Sequence, residues 1–201
     1  MGLTAVALNC TLKADGASST AAMIDLLARQ FAKHDITGIE TIRIAAHNVK
    51  TGVTADEGDG DAWPEIRKKI IAADILILGT PIWMGQMGSV CKRVLERMDA
   101  FLSETDEKGR MPTTGKVAIA AIVGNEDGAH IASAQMFQSL IDTGWTIPAG
   151  AACYWVGEAM HKTDFKDLPK TPEKVTSTAA MAASNAVHLA HLLKSTSYPG
   201  V

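Results

Sequence analysis

A chain of 201 residues is long enough to bury one sizeable core and fits a single domain, 1–201. With 47% hydrophobic and 20% charged residues and a formal net charge of −3 it reads as globular, and the negative balance argues against a nucleic acid as partner. No apolar run approaches the ~18 residues of a membrane span, and Cys10, Cys91 and Cys153, odd in number and without a CxxC pair, point away from a disulfide framework or zinc site and toward a reducing cytoplasm.

The N-terminal MGLTAVALNC has no basic region before its apolar stretch, so it reads as a first strand, 4–9, rather than a signal peptide. A polar loop follows, then a helix near 19–34 with Met23, Leu26, Leu27 and Phe31 on one face. A second strand spans about 39–45; the polar segment HNVKTGVTADEGDGDAWP then leads to a short helix near 64–73. The third strand, 74–80, runs into GTPIWMGQMGS, and the next helix carries Val90, Val94, Leu95, Met98, Phe101 and Leu102 at spacings of three and four. After a turn-rich surface loop come a fourth strand (116–123), the loop GNEDGAH, a helix near 130–143, a fifth strand within WTIPAGAACYWV, and a final Ala-rich helix near 172–194.

Alternating strands and helices imply parallel strands joined by right-handed crossovers, hence a doubly wound α/β sheet. Five strands in this spacing suit the order 2-1-3-4-5, which reverses between strands 1 and 3 and places a ligand where their carboxyl ends part. NCTLKADGASST and GTPIWMGQMGS emerge there, with GNEDGAH next in line. In the first loop, Ser18, Ser19 and Thr20 stand where a helix begins, which suits either plain capping or an anion site, with Lys13 adding charge. Neither GxxxxGK[ST] nor a GxGxxG after a strand occurs, so one terminal phosphate is expected rather than a dinucleotide. In the second loop, Pro81 fixes the turn out of the strand, Gly85 and Gly88 permit close backbone approach, and Ile82, Trp83 and Met84 offer surface to a flat heterocycle. In the third, Asn125, Glu126 and Asp127 suit a solvated turn as well as a ligand contact, and His130 suits a helix start as well as charge stabilisation. The run DEGDGD lacks EF-hand spacing and reads as a solvated loop. His188 and His191 lack a third ligand and suit a surface or subunit contact, and Cys91 reads as inert.

Taken together, LNCTLKADGASST, ADILILGTPIWMGQMGSVCKRVLERMDAF, KVAIAAIVGNEDGAH and IPAGAACYWVGEAM make the chain resemble the flavodoxin-like NAD(P)H-dependent FMN reductases, especially flavodoxin-family oxidoreductases of the quinone reductase type. The resemblance implies a flavodoxin-like fold and FMN as cofactor. It puts the phosphate on Cys10, Thr11, Lys13, Ser18, Ser19 and Thr20, and the isoalloxazine against Pro81, Ile82, Trp83, Met84, Gly85 and Gln86. Gly124, Asn125, Glu126, Asp127, Gly128 and His130 would close the other side. It implies hydride transfer from NAD(P)H to the flavin and on to a quinone-like acceptor, with no side chain acting as acid or base, and a homodimer or homotetramer away from the membrane. Many relatives begin the first loop Gly-Ser-Pro-Arg; here it reads Asn-Cys-Thr-Leu, so the phosphate arginine is absent and Lys13 is its expected stand-in. The Thr-Gly-x-Thr-Gly loop of electron-carrying flavodoxins and the cysteine motif of iron–sulfur flavoproteins are also missing. A flavin-binding electron carrier, or an interaction protein that keeps the fold without flavin, are the alternatives.

Overall fold

The computed structural model describes residues 2–200. Its parallel sheet runs β1 (Ala5–Asn9), β2 (Glu40–Arg43), β3 (Ile75–Trp83), β5 (Val117–Gly124) and β6 (Ala152–Val156), in the order β2-β1-β3-β5-β6. The extra strand in the chain numbering is β4 (Gln86–Met87), a short return that pairs antiparallel with the end of β3. Without it the order is the expected 2-1-3-4-5, and the fold is flavodoxin-like. Helices α1 (Ser19–Phe31), α2 (Trp63–Ala72), α3 (Ser89–Met98), α4 (Ala129–Asp142) and α5 (Glu173–Ser195) cover both faces.

The period of two along each strand divides the core. Leu76, Leu78, Ala118, Ala120 and Ile122 face the layer holding Trp63, Ile66, Val94, Met98 and Met136. Ile75, Ile77, Ile119, Ala121 and Val123 face the layer of Met23, Leu27, Phe31, Val175 and Ala183. Gly79 brings α1 close to β3: a Cβ there would lie 2.7 Å from Ile24 Cδ1 and 2.9 Å from Thr20 Cγ2. That contact sets the N-terminus of α1 directly beside the carboxyl end of the sheet.

Two expectations change. The third strand does not stop at 80 but continues to Trp83, because the loop folds back as a hairpin. Met84 (φ +53°) and Gly85 (φ +73°) form its two-residue turn, both at positive φ as a type I′ turn requires. Gly88 N–H closes it on Pro81 O and Thr80 Oγ1, each at 3.0 Å. The DEGDGD segment is also not simply solvated. Asp61 pairs with Arg97 of α3 at 2.8 Å, with neither side chain exposed. Arg97 further donates to Lys50 O and Thr54 O and lies over the Trp63 ring. The Asp61 carboxylate accepts from the N–H groups of Lys50, Glu57 and Trp63. Burial pushes that carboxyl up, but Glu57 N–H, the Arg97 guanidinium and the other N–H donors outweigh it and bring its pKa to about 2.

Candidate functional site

The carboxyl ends of β1, β3, β5 and β6 open into a cavity of about 530 Å³. Thr11, Leu12, Lys13 and Ala17 to Thr20 line its first wall. Ser18 is the N-cap of α1, extended in backbone, its hydroxyl accepting from Ala21 N–H at 3.2 Å. Ala22 N–H is taken by Ser18 O, so the first two N–H groups of the helix, those of Ser19 and Thr20, are the ones left over. Thr20 is 1% exposed and lines the cavity, yet its hydroxyl has no hydrogen-bond partner among the described residues. This end is rich in donors and suits an anion.

Pro81, Ile82, Trp83 and Met84 form the second wall. Trp83 is 56% and Met84 87% exposed, although both are large and apolar. The hairpin tip that carries them is held by Met84 N–H donating to Glu126 Oε1 at 2.8 Å. Val123, Gly124, Asn125 and Glu126 make the third wall. Gly128 (φ +133°) fits this loop against the hairpin, since a Cβ on it would lie 2.4 Å from Gly85 O.

The fourth wall was not anticipated. After β6 the chain folds back as a strap that contributes Met160, His161, Asp164, Phe165 and Lys166, beside Trp155 of β6. Phe165 is buried, its ring centroid 5.6 Å from that of Trp155. Asn125 Nδ2 donates to Asp164 Oδ1 at 3.0 Å, and Lys166 N–H donates to Ser19 Oγ at 3.3 Å. The aromatic pair Trp155 and Phe165, in a stretch otherwise rich in charge, was the signal available.

Of the residues anticipated for a ligand, Thr11, Lys13, Ser18, Ser19, Thr20, Pro81, Ile82, Trp83, Met84, Gly124, Asn125 and Glu126 line one cavity. The others do not reach its lining. Cys10 is fully buried, its N–H donating to Gly79 O, and burial, with Cys91 nearby, pushes its thiol well above the ordinary value. Gly85 and Gln86 are spent on the hairpin. Asp127 turns its carboxylate to the N–H of Gly128, and Gly128 faces Gly85 instead. His130 instead has its Nε2 3.1 Å from the Tyr154 hydroxyl. Among the described residues no three His, Cys, Asp or Glu side chains are grouped to hold a metal, and no helix is long and apolar enough to cross a membrane.

Residues 3–160 match the profile of the NADPH-dependent FMN reductases. The chain is 31% identical over 169 residues to the 8-demethyl-8-aminoriboflavin-5′-phosphate synthase of Streptomyces davaonensis, covering 79% of this chain and 65% of that one. It is 36% identical over 163 residues to a Mycobacterium bovis protein named divalent metal cation transporter MntH, covering 79% of this chain but 24% of that protein. The chain thus spans less than two thirds of either relative's own length. Among solved structures, RosB with bound 8-demethyl-8-formylriboflavin-5′-phosphate superposes with a TM-score of 0.87 and 29% identity, over 98% of this chain and 82% of that one. The apo NADH:FMN oxidoreductase EmoB, at TM-score 0.68 and 17% identity over 94% of this chain and 89% of its own, shares the fold.

Proposed function

Because the chain belongs to the NADPH-dependent FMN reductase family, we propose that its cavity holds FMN and that the protein is an NAD(P)H-dependent oxidoreductase serving a quinone-like acceptor. One observation carries this reading: a single cavity of about 530 Å³ joins a donor-rich end at the start of α1 to an apolar wall of Ile82, Trp83 and Met84. Its size suits a ligand of that class. The unpartnered Thr20 hydroxyl and the two leftover N–H groups fit a phosphate, and the apolar wall fits a ring system.

FMN, when bound, supplies the redox chemistry. The chain's own residues bind and orient it. Thr11, Ser19, Thr20 and Lys13 hold the phosphate through hydroxyls, N–H groups and charge. Pro81 to Met84 present the hairpin edge to the ring, and Glu126 fixes the tip by holding Met84 N–H. The exposed faces of Trp83, Met84 and Met160 make the mouth apolar, which favours a flat second substrate. In this reading a second copy of the chain covers part of that mouth, giving a homodimer or homotetramer.

A second reading takes a riboflavin phosphate as the substrate to be modified. The overlap with RosB along 98% of this chain favours it. Anaerobic mixing of the flavin-loaded protein with NADPH or NADH separates the two. The oxidoreductase reading expects the yellow absorbance to bleach directly and benzoquinone to restore it over many cycles, with flavin recovered at unchanged mass. Failure of both nucleotides to bleach the flavin, while dithionite does, would refute that reading. Recovery of a flavin altered in mass would replace it with the second.

A further inference from the structure

The first loop carries one cation, Lys13, on an exposed stretch. The strap after β6 brings another cation to the same place. Lys166 lines the cavity, and its N–H is bonded to the hydroxyl of Ser19, the first residue of α1. Asp164, held by Asn125, and Phe165, buried against Trp155, fix the strap just ahead of that contact. The Lys166 stem therefore starts beside the leftover N–H groups and the unpartnered Thr20 hydroxyl.

We propose that Lys166 joins Lys13 as a cation that reads the phosphate of the ligand. The inference rests on the reading that a flavin phosphate occupies this cavity. Lys166 Nζ contacts Asp167, and Asp164 at 3.5 Å, and those carboxylates are half-exposed. With the Lys166 side chain a quarter exposed and its carboxylates half-exposed, these pairs lie near the surface, where such pairs contribute little. A charge-assisted bond to a phosphate contributes more, and a four-carbon stem lets the ammonium exchange one partner for the other. Ser19 works in the same arrangement. Its oxygen accepts from Lys166 N–H, which leaves its own proton to donate to the anion. The strap thereby couples phosphate recognition to the wall made by Asn125. Asp164, Phe165 and Lys166 lie beyond the 3–160 span of the family profile.

The test is a fluorescence titration of wild type, Lys166→Gln and Lys166→Arg with FMN and with riboflavin, which lacks the phosphate. Lys166→Gln should weaken FMN by about tenfold or more and leave riboflavin within about twofold. Lys166→Arg should restore most of the difference, and the salt dependence of FMN binding should diminish in the Gln variant. Unchanged FMN affinity in Lys166→Gln overturns the inference, as does an equal loss for both ligands, which would mean that Lys166 only supports the strap. A wild-type protein that fails to prefer FMN over riboflavin overturns the phosphate reading of the cavity and this inference with it.

Discussion

Replacing Asp61 by Ala removes the carboxylate at the centre of the 47–62 segment. Three N–H groups, of Lys50, Glu57 and Trp63, lose their acceptor, and the Arg97 guanidinium loses its counter-charge while remaining tied to Lys50 O and Thr54 O. With both side chains fully covered, this is the buried-pair case, for which removing one partner costs about 3–5 kcal/mol. That is a large part of the ~5–15 kcal/mol that stabilises a typical domain. Urea unfolding followed by far-UV circular dichroism should show the midpoint falling at nearly unchanged slope. The double variant Asp61→Ala/Arg97→Met should recover part of the loss, because it leaves no unpaired buried charge. The pH dependence has a definite sign. The folded pKa, about 2, lies below the unfolded value, so the contribution is complete above ~3.9 and is lost as pH falls through the folded value. The wild type should therefore lose stability over that acid interval more steeply than the Asp61→Ala protein. A loss under about 1 kcal/mol for Asp61→Ala would refute the reasoning and return the segment to a solvated loop.

Flavin released by heat should chromatograph as FMN; FAD as the main species would contradict a cavity with one phosphate end. Ser19→Ala/Thr20→Ala should weaken FMN binding by roughly 1.5–3 kcal/mol per lost charge-assisted bond with little change in melting temperature, because the cap is Ser18; unchanged affinity in a titration would remove both hydroxyls from the site. Gly128→Ala sets a Cβ 2.4–2.7 Å from the Gly85 backbone at a φ of +133°, so it should displace the hairpin and cost about 1–3 kcal/mol of strain, with reduced flavin affinity; wild-type affinity and stability together would mean that the two loops move apart freely.

The sheet was legible because its signal is local. Short runs such as ILIL and VAIAAIV, rich in β-branched residues and bounded by turn residues, read as strands covered on both faces, and the helices between them carry apolar residues three and four apart. The carboxyl-end loops followed from topology. What failed to show was long-range or conformational. Nothing in IWMG announces that a methionine will take a positive φ, a conformation usually left to Gly or Asn, so the hairpin looked like open loop. Arg97 occupies a helix position where an exposed arginine is ordinary, and its partner Asp61 is 36 residues away. Cys10, next to Thr11, seemed a loop residue because its neighbours are polar, yet its side chain continues the inward alternation of Val6 and Leu8. The strap escaped notice because 158–168 has no period, and its place is set by Phe165 finding Trp155.

The free cysteines are distributed in a way that makes the protein report on its own opening. Cys10 and Cys91 are sealed in the layer beneath α3, and Cys153 in the opposite layer beneath α5, its thiol pushed up to about 12 by burial. A thiol reagent in neutral buffer therefore meets nothing to attack until one layer lifts from the sheet. The order in which the cysteines become labelled then records which side of the sheet opens first, and whether a ligand at the carboxyl ends of the strands slows one side or both.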